Sequence, residues 1–270
     1  MNPTWRPARI VENRYIARGS MWLTVEASDD LPADYEPGHV LGLGLQQEDG
    51  HYLRHAYTIS RAEPQLRRFA HLYRVIPEGR LTPILAQLHP GDPISFIGPY
   101  HTPIRQEVQP DAERIVLIGT GTGIGPLFGY AEKTLGEGET RLLTLYVGFH
   151  EEADFCLTGE LQDLERQYPN FEWHFTVTHP SAGWHGLQGR VNESVPPLIE
   201  KDSLPKYHFH LVGNGEMVHL VRKALYRAGL PAERVSIETY FNHHVEVDDE
   251  DVERVAHRFQ NSGVRAGNSG

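Results

Sequence analysis

The sequence predicts two domains: an N-terminal antiparallel β-barrel with one helix, and a C-terminal α/β domain built on a parallel sheet. Short apolar segments separated by Pro and Gly fill the first hundred residues, whereas strands alternate with helices in the later part of the chain. The length of 270 residues suits two domains of ordinary size. Turn-forming residues between Gly98 and Arg114 put the boundary there, so we expect domains at 1–105 and 112–242.

The barrel strands are predicted from short runs of apolar or alternating residues that are bounded by turn signals. A helix is expected at Pro83–Leu88. The predicted strands are Ala8–Ala17, Met21–Ala27, Val40–Leu45, Ala56–Ser60, Phe69–Ile76 and Pro93–Ile97.

The second domain is predicted from apolar strands that alternate with amphipathic helices. The strands are Ile115–Ile118, Leu142–Val147, Phe171–Val177, Tyr207–Val212 and Val235–Glu238, and the helices are Pro126–Leu135, Leu157–Tyr168 and Glu216–Ala228. Such a sheet is parallel and binds ligands at the carboxyl ends of its strands.

Residues 243–270 form an acidic C-terminal extension. The apolar spacing of Val252, Val255, Ala256 and Phe259 predicts a short capped helix, followed by a disordered tail rich in Gly, Asn and Ser. We expect this helix to be a solvated surface helix.

Composition excludes several classes of protein. A formal net charge of −11 disfavours nonspecific nucleic-acid binding. No apolar run approaches the ~20 residues that cross a bilayer, and Met1–Tyr15 lacks the apolar core of a signal peptide. We therefore expect a cytoplasmic monomer that does not bind membranes. The lone Cys156 excludes an internal disulfide and a four-thiolate iron–sulfur cluster.

The 16 histidines raise the question of a metal site. His208 and His210 are expected on one face of a strand, but no third ligand stands at a spacing typical of zinc. We predict structural or surface histidines and no metal.

A glycine-rich turn follows the first strand of the second domain. Arg114–Ile118 leads into Gly119–Gly125 and then Pro126, which suits the first position of a helix. Glycines and the free amides of a helix start bind phosphate. The spacing is not that of the dinucleotide-binding fingerprint, so an ordinary glycine-rich turn is the alternative.

A second phosphate site is predicted at Ile76–Pro83. Thr82 is a natural N-cap, which would leave the amides of Arg80, Leu81 and Thr82 facing an anion; a plain capped helix is the alternative. Upstream, the segment Arg54–Ser60 supplies a cation for a phosphate, an aromatic side chain for a flat ring system and a hydroxyl group for a ring nitrogen.

At these motifs the chain resembles the ferredoxin–NADP reductase superfamily, most closely the bacterial ferredoxin (flavodoxin)–NADP reductases. The resemblance covers residues 7–241. The matching segments, in order, are His55-Ala56-Tyr57-Thr58, Gly79-Arg80-Leu81-Thr82, Gly91-Asp92, Gly119–Pro126, Val212–Met217 and Glu238-Thr239-Tyr240-Phe241. His55 stands where the family has arginine, and Arg54 is one residue early, so strand alternation leaves either His55 or Arg54 for the flavin pyrophosphate.

The resemblance implies FAD in the barrel and NADPH or NADH in the second domain, with ferredoxin or flavodoxin as the redox partner. Thr58 would lie near flavin N5, Tyr57 would pack on the flavin, Tyr240 or Phe241 would cover it, and Glu238 would handle a proton or orient nicotinamide. The implied catalytic residues are Thr58, Glu238 and Tyr240. The implied cofactor-binding residues are Arg54, His55, Ala56, Tyr57, Thr58, Tyr73, Arg74, Val75, Gly79, Arg80, Leu81, Thr82, Gly121, Thr122, Gly123, Pro126, His150, His179, Arg190, Gly213, Asn214, Met217, Tyr240 and Phe241.

Two features concern specificity. His150 and His179 stand where the family has arginines, and Arg190 occupies a third expected position, so we predict a weakened preference for NADPH over NADH. Arg67, Arg68, Arg74 and Arg80 could dock an acidic carrier, although Arg67-Arg68 could equally be a solvated turn.

Other functions remain open at this point. The chain could be an NAD(P)H flavin reductase, a reductase component for an oxygenase or globin, or a nucleotide-binding regulatory subunit without turnover.

Overall fold

The computed structural model describes residues 4–31, 35–100 and 108–261. Its contacts divide the chain into two compact units. The barrel unit comprises Met1–Arg105, Ile124–Glu139 and Ala153–Asp163, and the sheet unit comprises Gln106–Gly123, Thr140–Glu152 and Leu164–Gly270. The predicted boundary residue Pro103 and the predicted disordered tail lie outside the described residues.

The barrel unit contains one antiparallel sheet of seven strands. The strands are β1 (Arg6–Ala17), β2 (Ser20–Ala27), β3 (Val40–Gln46), β4 (Tyr52–Thr58), β5 (Arg61–Glu63), β6 (Arg68–Arg74) and β7 (Pro93–Ile97). Their order is β4-β3-β7-β1-β2-β6-β5. β4 begins earlier than the sequence predicted, and β5 was not predicted because three residues carry too little periodicity to recognise.

The two ends of this sheet meet through one continuous stretch of chain. β4 pairs with β3, whereas β5, which follows after only Ile59 and Ser60, pairs with β6. Between them the Ser60 amide donates to the Ala70 carbonyl at 2.8 Å. The chain therefore changes partner strand at Ser60, and this change closes the barrel.

The barrel interior is filled by alternate residues of its strands. On β2, Met21, Leu23 and Val25 are at most 2% exposed and belong to one cluster with Leu41 and Phe96. Alternation sends every second side chain inward, which explains the pattern. Each such side chain contributes roughly 1.5–3 kcal/mol when it is fully buried.

Two helices accompany the barrel strands: α1 (Thr82–Leu85) and α2 (Ile124–Gly136). The placement of Pro126 at the first helical position is wrong, because a 3-10 turn at Gly121–Gly123 leads into α2 two residues before Pro126. A Cβ atom on Gly129 would lie 1.8 Å from the Ser60 carbonyl oxygen, and one on Gly125 would lie 2.4 Å from Ser60 Oγ. Two glycines one turn apart therefore let α2 pack against the closing segment of the barrel.

The sheet unit is built on six parallel strands. They are β8 (Arg114–Thr120), β9 (Leu142–Phe149), β10 (Phe171–Val177), β11 (Leu187–Gln188), β12 (Tyr207–Asn214) and β13 (Val235–Phe241), in the order β11-β10-β9-β8-β12-β13. Helix α3 (Thr158–Gln167) begins in the barrel unit and ends in the sheet unit, and the helices of the sheet unit are α4 (Val191–Ser194), α5 (Gly215–Arg227) and α6 (Asp249–Gln260). The predicted fold class is confirmed; β11 and α4 were not predicted, since two and four residues are too short to show a period.

The expectation of a solvated surface helix in the C-terminal extension is wrong. Val252, Val255, Ala256 and Phe259 of α6 are at most 2% exposed and belong to the core cluster that also contains α5 and β12 side chains. Arg258 Nη1 donates to the Glu193 carbonyl of α4 at 2.8 Å. Helix α6 is therefore part of the core of the sheet unit.

No helix in the described part of the chain is long and apolar enough to cross a membrane.

His208 and His210 lie on one face of β12, as predicted, with ring centroids 4.9 Å apart. Both are fully buried, and neither nitrogen of His208 has a hydrogen-bond partner among the described residues. Burial, helped by the positive charges of Arg234 and Arg141, lowers the pKa of His208 to about 4. His208 is therefore neutral at pH 7.

The histidine at position 208 should make stability depend on pH. Unfolded histidine titrates near pH 6.5, so between that pH and about 4 the unfolded chain binds more protons and stability falls as pH falls. Between pH 8 and pH 5 we expect the free energy of unfolding of His208→Leu to fall by roughly 2 kcal/mol less than that of the wild type, measured by urea unfolding. His89→Gln, at an exposed histidine, is the control; equal pH dependence in the wild type and His208→Leu would contradict the prediction.

Candidate functional site

β4 presents two rings on the inner face of the barrel. His55 and Tyr57 have ring centroids 5.6 Å apart and pair with the buried residues Leu43 and Leu41 of β3. Arg54 and Ala56 pair with Gly44 and Gly42 and therefore lie on the outer face. Of the two residues that the sequence left open, His55 shares the face of Tyr57 and Arg54 does not.

Polar groups are buried beside this row of rings. Thr58, at the end of β4, is 5% exposed, and its carbonyl lies 2.8 Å from His71 Nδ1 on β6. The Tyr57 ring lies 6.0 Å from the His71 ring and 6.1 Å from the Tyr73 ring. Burial raises the pKa of Tyr57, so its phenol stays protonated. Sequence reasoning did not select His71, because a single histidine in an apolar strand carries no motif.

The turn before α1 is held by Thr82, although not as predicted. Thr82 Oγ1 accepts from the Ile76 amide at 2.9 Å and approaches the Ile76 carbonyl at 3.3 Å. The prediction of Thr82 as N-cap is wrong: it is the first residue of α1, and Leu81 occupies the cap position without a side-chain bond. A Cβ atom on Gly79 would lie 3.0 Å from the Ile76 carbonyl oxygen, so glycine suits this tight turn. Leu81 is buried.

The end of β6 supplies the next predicted residues. Tyr73 is 2% exposed, and its hydroxyl lies 3.1 Å from Asn13 Oδ1 and 3.1 Å from Met21 Sδ. Arg74 is exposed, and the Val75 amide donates to the Gly19 carbonyl at 2.8 Å. Tyr73 is therefore a core residue of the barrel, and Arg74 points outward.

The arginines of the barrel unit fall into two groups. Seven have a carboxylate within 4.0 Å: Arg6, Arg9, Arg14, Arg18, Arg61, Arg67 and Arg68. Among the described residues, Arg54, Arg74 and Arg80 have neither an acidic partner nor another hydrogen-bond partner, and all three are exposed. Arginines without a carboxylate are available to a phosphate.

Arg67 and Arg68 are less available. Glu26 accepts from Arg9 and Arg68 at 2.7 and 2.9 Å and lies 3.9 Å from Arg67. The Arg9 and Arg68 bonds hold the pKa of Glu26 below its usual value, so this carboxylate is ionised. Arg68 and Arg74 stand at opposite ends of β6, ~20 Å apart along the strand.

In the sheet unit, the ends of β8 and β12 meet closely. A Cβ atom on Gly123 would lie 2.5 Å from the Val212 carbonyl oxygen, and one on Gly213 would lie 2.2 Å from Thr120 Oγ1. The Asn214 amide donates to Thr120 Oγ1 at 3.0 Å. Gly121 has a φ of +53°, and no atom lies within 4 Å of where its Cβ would be. This turn therefore offers an open, glycine-lined surface to a ligand, with Thr122 buried beneath it.

Helix α5 begins at the same edge. The Asn214 side chain accepts from the Glu216 amide at 3.0 Å and caps the helix. Met217, in the first turn, is 6% exposed and belongs to the core. Met217 therefore anchors the helix start, while Asn214 and the first amides stay at the sheet edge.

The predicted specificity residues follow β9, β10 and β11. His150 and His179 are adjacent: their ring centroids are 4.4 Å apart, and their Nδ1 atoms lie 3.3 Å apart. Arg190 precedes α4 and binds Glu216 at 3.0 Å. Both groups stand at the carboxyl edge of the sheet, where such folds bind ligands.

No three His, Cys, Asp or Glu side chains of the described residues are grouped closely enough to hold a metal ion.

The last predicted segment is the end of β13. Glu238 is 9% exposed, whereas Phe241 is 46% exposed. The chain then turns against the start of α5, where a Cβ atom on Gly215 would lie 2.1 Å from the Asn242 carbonyl oxygen. His243 Nδ1 lies 2.7 Å from Thr239 Oγ1. Tyr240 and Phe241 therefore lie between Thr239 and Asn242, each of which is held by one of these contacts.

Comparisons with known proteins agree with this arrangement. Residues 117–223 match the family model of the oxidoreductase NAD-binding domain. Over 238 residues the chain is 28% identical to ferredoxin–NADP reductase B of Sorangium cellulosum (strain So ce56), covering 86% of this chain and 96% of that protein. The chain is therefore similar to proteins of the ferredoxin–NADP reductase superfamily. The resemblance stated from the motifs is confirmed, and so is the prediction that the protein is an oxidoreductase.

Solved structures show the same fold. This reductase matches Amycolatopsis cytochrome P450 reductase GcoB with a TM-score of 0.76 at 22% identity, covering 88% of this chain and 70% of that chain. It matches a ferredoxin NADP+ reductase from Neisseria gonorrhoeae with bound FAD and NADP with a TM-score of 0.71 at 19% identity, covering 87% of this chain and 98% of that chain.

The close approach of β8 and β12 can be tested at Gly123. Its φ is not positive, so the effect of a side chain there is purely steric. We expect Gly123→Ala to lower the free energy of unfolding by roughly 2 kcal/mol, because the methyl group must push apart two backbone segments. Gly183→Ala, where no atom lies within 4 Å of the new Cβ, is the matched control. Urea unfolding compares them; equal stabilities would contradict the assigned contact.

Proposed function

We propose that this reductase transfers hydride between NAD(P)H and FAD, and single electrons to or from ferredoxin or flavodoxin. The observation that carries the proposal is a pair of phosphate-binding features, one in each unit. In the described part of the barrel unit Arg74 and Arg80 are exposed and have no acidic partner, and the sheet unit has an open glycine-lined turn at the carboxyl ends of β8 and β12.

The barrel residues fit FAD. Tyr57 offers an aromatic face to the flavin ring, and Thr58 offers a hydroxyl group to its reactive edge. Because Arg54 lies on the opposite face of β4 from Tyr57, we assign the pyrophosphate to Arg80, in the turn before α1, and to His55, with Arg74 nearby. When bound, FAD supplies the chemistry that accepts a hydride and releases electrons singly.

The sheet residues fit a nicotinamide dinucleotide. The amides around Gly121–Gly123 and the start of α5 at Asn214 bind its pyrophosphate, and Glu238, Tyr240 and Phe241 serve the nicotinamide end. Chemistry at this site depends on orientation and on exclusion of water, which the protein supplies by holding both reactants in place.

The choice between NADPH and NADH rests on His150, His179 and Arg190. Neutral imidazoles bind a 2′-phosphate weakly, and Arg190 must release Glu216 before it can bind one. We therefore propose that the enzyme uses both coenzymes, with a weaker preference for NADPH than three arginines would produce.

Restoring a cation at position 150 should strengthen NADPH binding. An arginine–phosphate contact is worth roughly 1.5–3 kcal/mol, so we expect His150→Arg to lower the NADPH dissociation constant about tenfold and to leave that of NADH within about twofold. Fluorescence titration measures both constants. His89→Arg adds the same charge in the barrel unit and serves as control. A similar gain for NADH, or none for NADPH, would contradict the assignment.

The proposed activity is tested on the purified protein under argon. A yellow protein whose flavin absorbance is bleached by NADPH or NADH, and which reduces cytochrome c only when ferredoxin or flavodoxin is added, fits the proposal. A colourless protein that binds dinucleotide without turnover would refute it.

The same preparation, examined by size-exclusion chromatography, tests the predicted monomer; a cytoplasmic location also stays a prediction.

A second candidate is a reductase component for an oxygenase. The structural match to a cytochrome P450 reductase favours it. Both candidates predict that NAD(P)H bleaches the flavin absorbance, so the two are distinguished by the protein that accepts the electrons. Fast reduction of an oxygenase partner, with slow reduction of ferredoxin and flavodoxin, would favour this candidate.

A further inference from the structure

Strand β4 changes its neighbour near Thr58. Among the described residues β4 forms a ladder with β3 and none with β6, and backbone pairing with β6 begins at Ser60. Thr58, the last residue of β4, stands just before that change of partner. The side chain of His71 reaches across from β6, and its Nδ1 lies 2.8 Å from the Thr58 carbonyl oxygen. A side chain of β6 therefore bonds to the backbone of β4 at the point where the strands separate.

The contact determines where the imidazole proton lies. A carbonyl oxygen can only accept, so Nδ1 of His71 carries the proton and donates it to Thr58. His71 is fully buried, and Nε2 has no hydrogen-bond partner among the described residues. Its ring packs 5.4 Å from Phe69 and 6.0 Å from Tyr57. Burial lowers the pKa of His71 to about 4, so the ring is neutral.

The chemistry of His71 suits a directional role. An aromatic hydrocarbon side chain could fill the space beside Phe69 and Tyr57 and would leave no ring nitrogen unsatisfied, but it could not donate to the Thr58 carbonyl. The imidazole both packs against the neighbouring rings and holds the Thr58 carbonyl in one direction.

We propose that His71 is a positioning residue for the flavin site, whose Nδ1–H holds the Thr58 backbone and so sets the orientation of Tyr57 and Thr58 toward the bound flavin. This inference rests on the proposed function, because its consequence is read at FAD. Tyr57 and Thr58 are consecutive, so a shift of the Thr58 peptide moves both the ring and the hydroxyl group.

Two substitutions separate positioning from packing. In His71→Asn the side-chain NH2 stands close to the place of Nδ1 and keeps a donor for Thr58, but much of the ring volume is lost. In His71→Phe the ring volume stays and the donor is lost. Positioning predicts that His71→Asn keeps the FAD dissociation constant and the rate of flavin reduction by NAD(P)H within about threefold of the wild type. His71→Phe should then weaken FAD binding or slow flavin reduction at least tenfold under conditions in which urea unfolding shows the variant to be fully folded.

Packing alone predicts the reverse order, with His71→Phe like the wild type and His71→Asn impaired; that order would overturn the proposal. His208→Phe is the matched control, since it replaces a buried histidine of the sheet unit and should leave FAD binding unchanged. FAD affinity is measured by fluorescence titration of the apoprotein, and flavin reduction by anaerobic stopped flow.

The tautomer provides a readout that needs no FAD. Long-range 1H–15N NMR spectra of the apoprotein should show His71 protonated at Nδ1 only and neutral at pH 6; protonation at Nε2 would overturn the proposal even if His71→Phe did not fold. The proposed function and the proposed role of His71 can be refuted independently. A wild-type protein that binds no FAD would refute the proposed function, whereas a wild type that binds FAD with His71→Phe indistinguishable from it would refute the role of His71.

Discussion

The barrel unit depends on a change of hydrogen-bond partner at Ser60. Up to Thr58 the backbone bonds to β3, and from Ser60 onward it bonds to β6. Backbone polar groups in the interior must be satisfied, and where the strands separate a side chain reaches the Thr58 carbonyl. That side chain is His71. The glycine face of α2 packs on Ser60 from outside the barrel, which allows little movement at this point.

A comparable constraint organises the sheet unit, but there it consists of missing side chains. Gly123 and Gly213 allow the end of β8 and the end of β12 to approach within contact distance, and Thr120 bonds across to Asn214. The start of α5 is held in turn by Gly215 against Asn242. Helix α6 packs on α5 through Phe259, so the extension supports the elements that form the sheet edge.

Charge placement matters more than net charge in this reductase. The chain carries a formal charge of −11, yet among the residues that the structure describes no carboxylate lies within reach of Arg54, Arg74 or Arg80. Acidic side chains neutralise the other barrel arginines, as Glu26 does for Arg9 and Arg68. An unpaired exposed cation can bind an anion without first losing a partner, so these arginines are available to an anion, and Arg54 differs from the other two in lying on the face of β4 opposite Tyr57.

The sequence by itself determined the fold class and most of the strands, because apolar periodicity and turn residues act over a few neighbouring positions. Motif spacing likewise identified the glycine turn and the Tyr57-Thr58 pair. Which face His55 occupies followed only once β4 was paired with β3, although alternation made the choice binary. Only the tertiary structure showed which groups His71, Thr82 and α6 contact. Each depends on a residue distant in sequence or on a bond to another element, and no local pattern encodes such a partner.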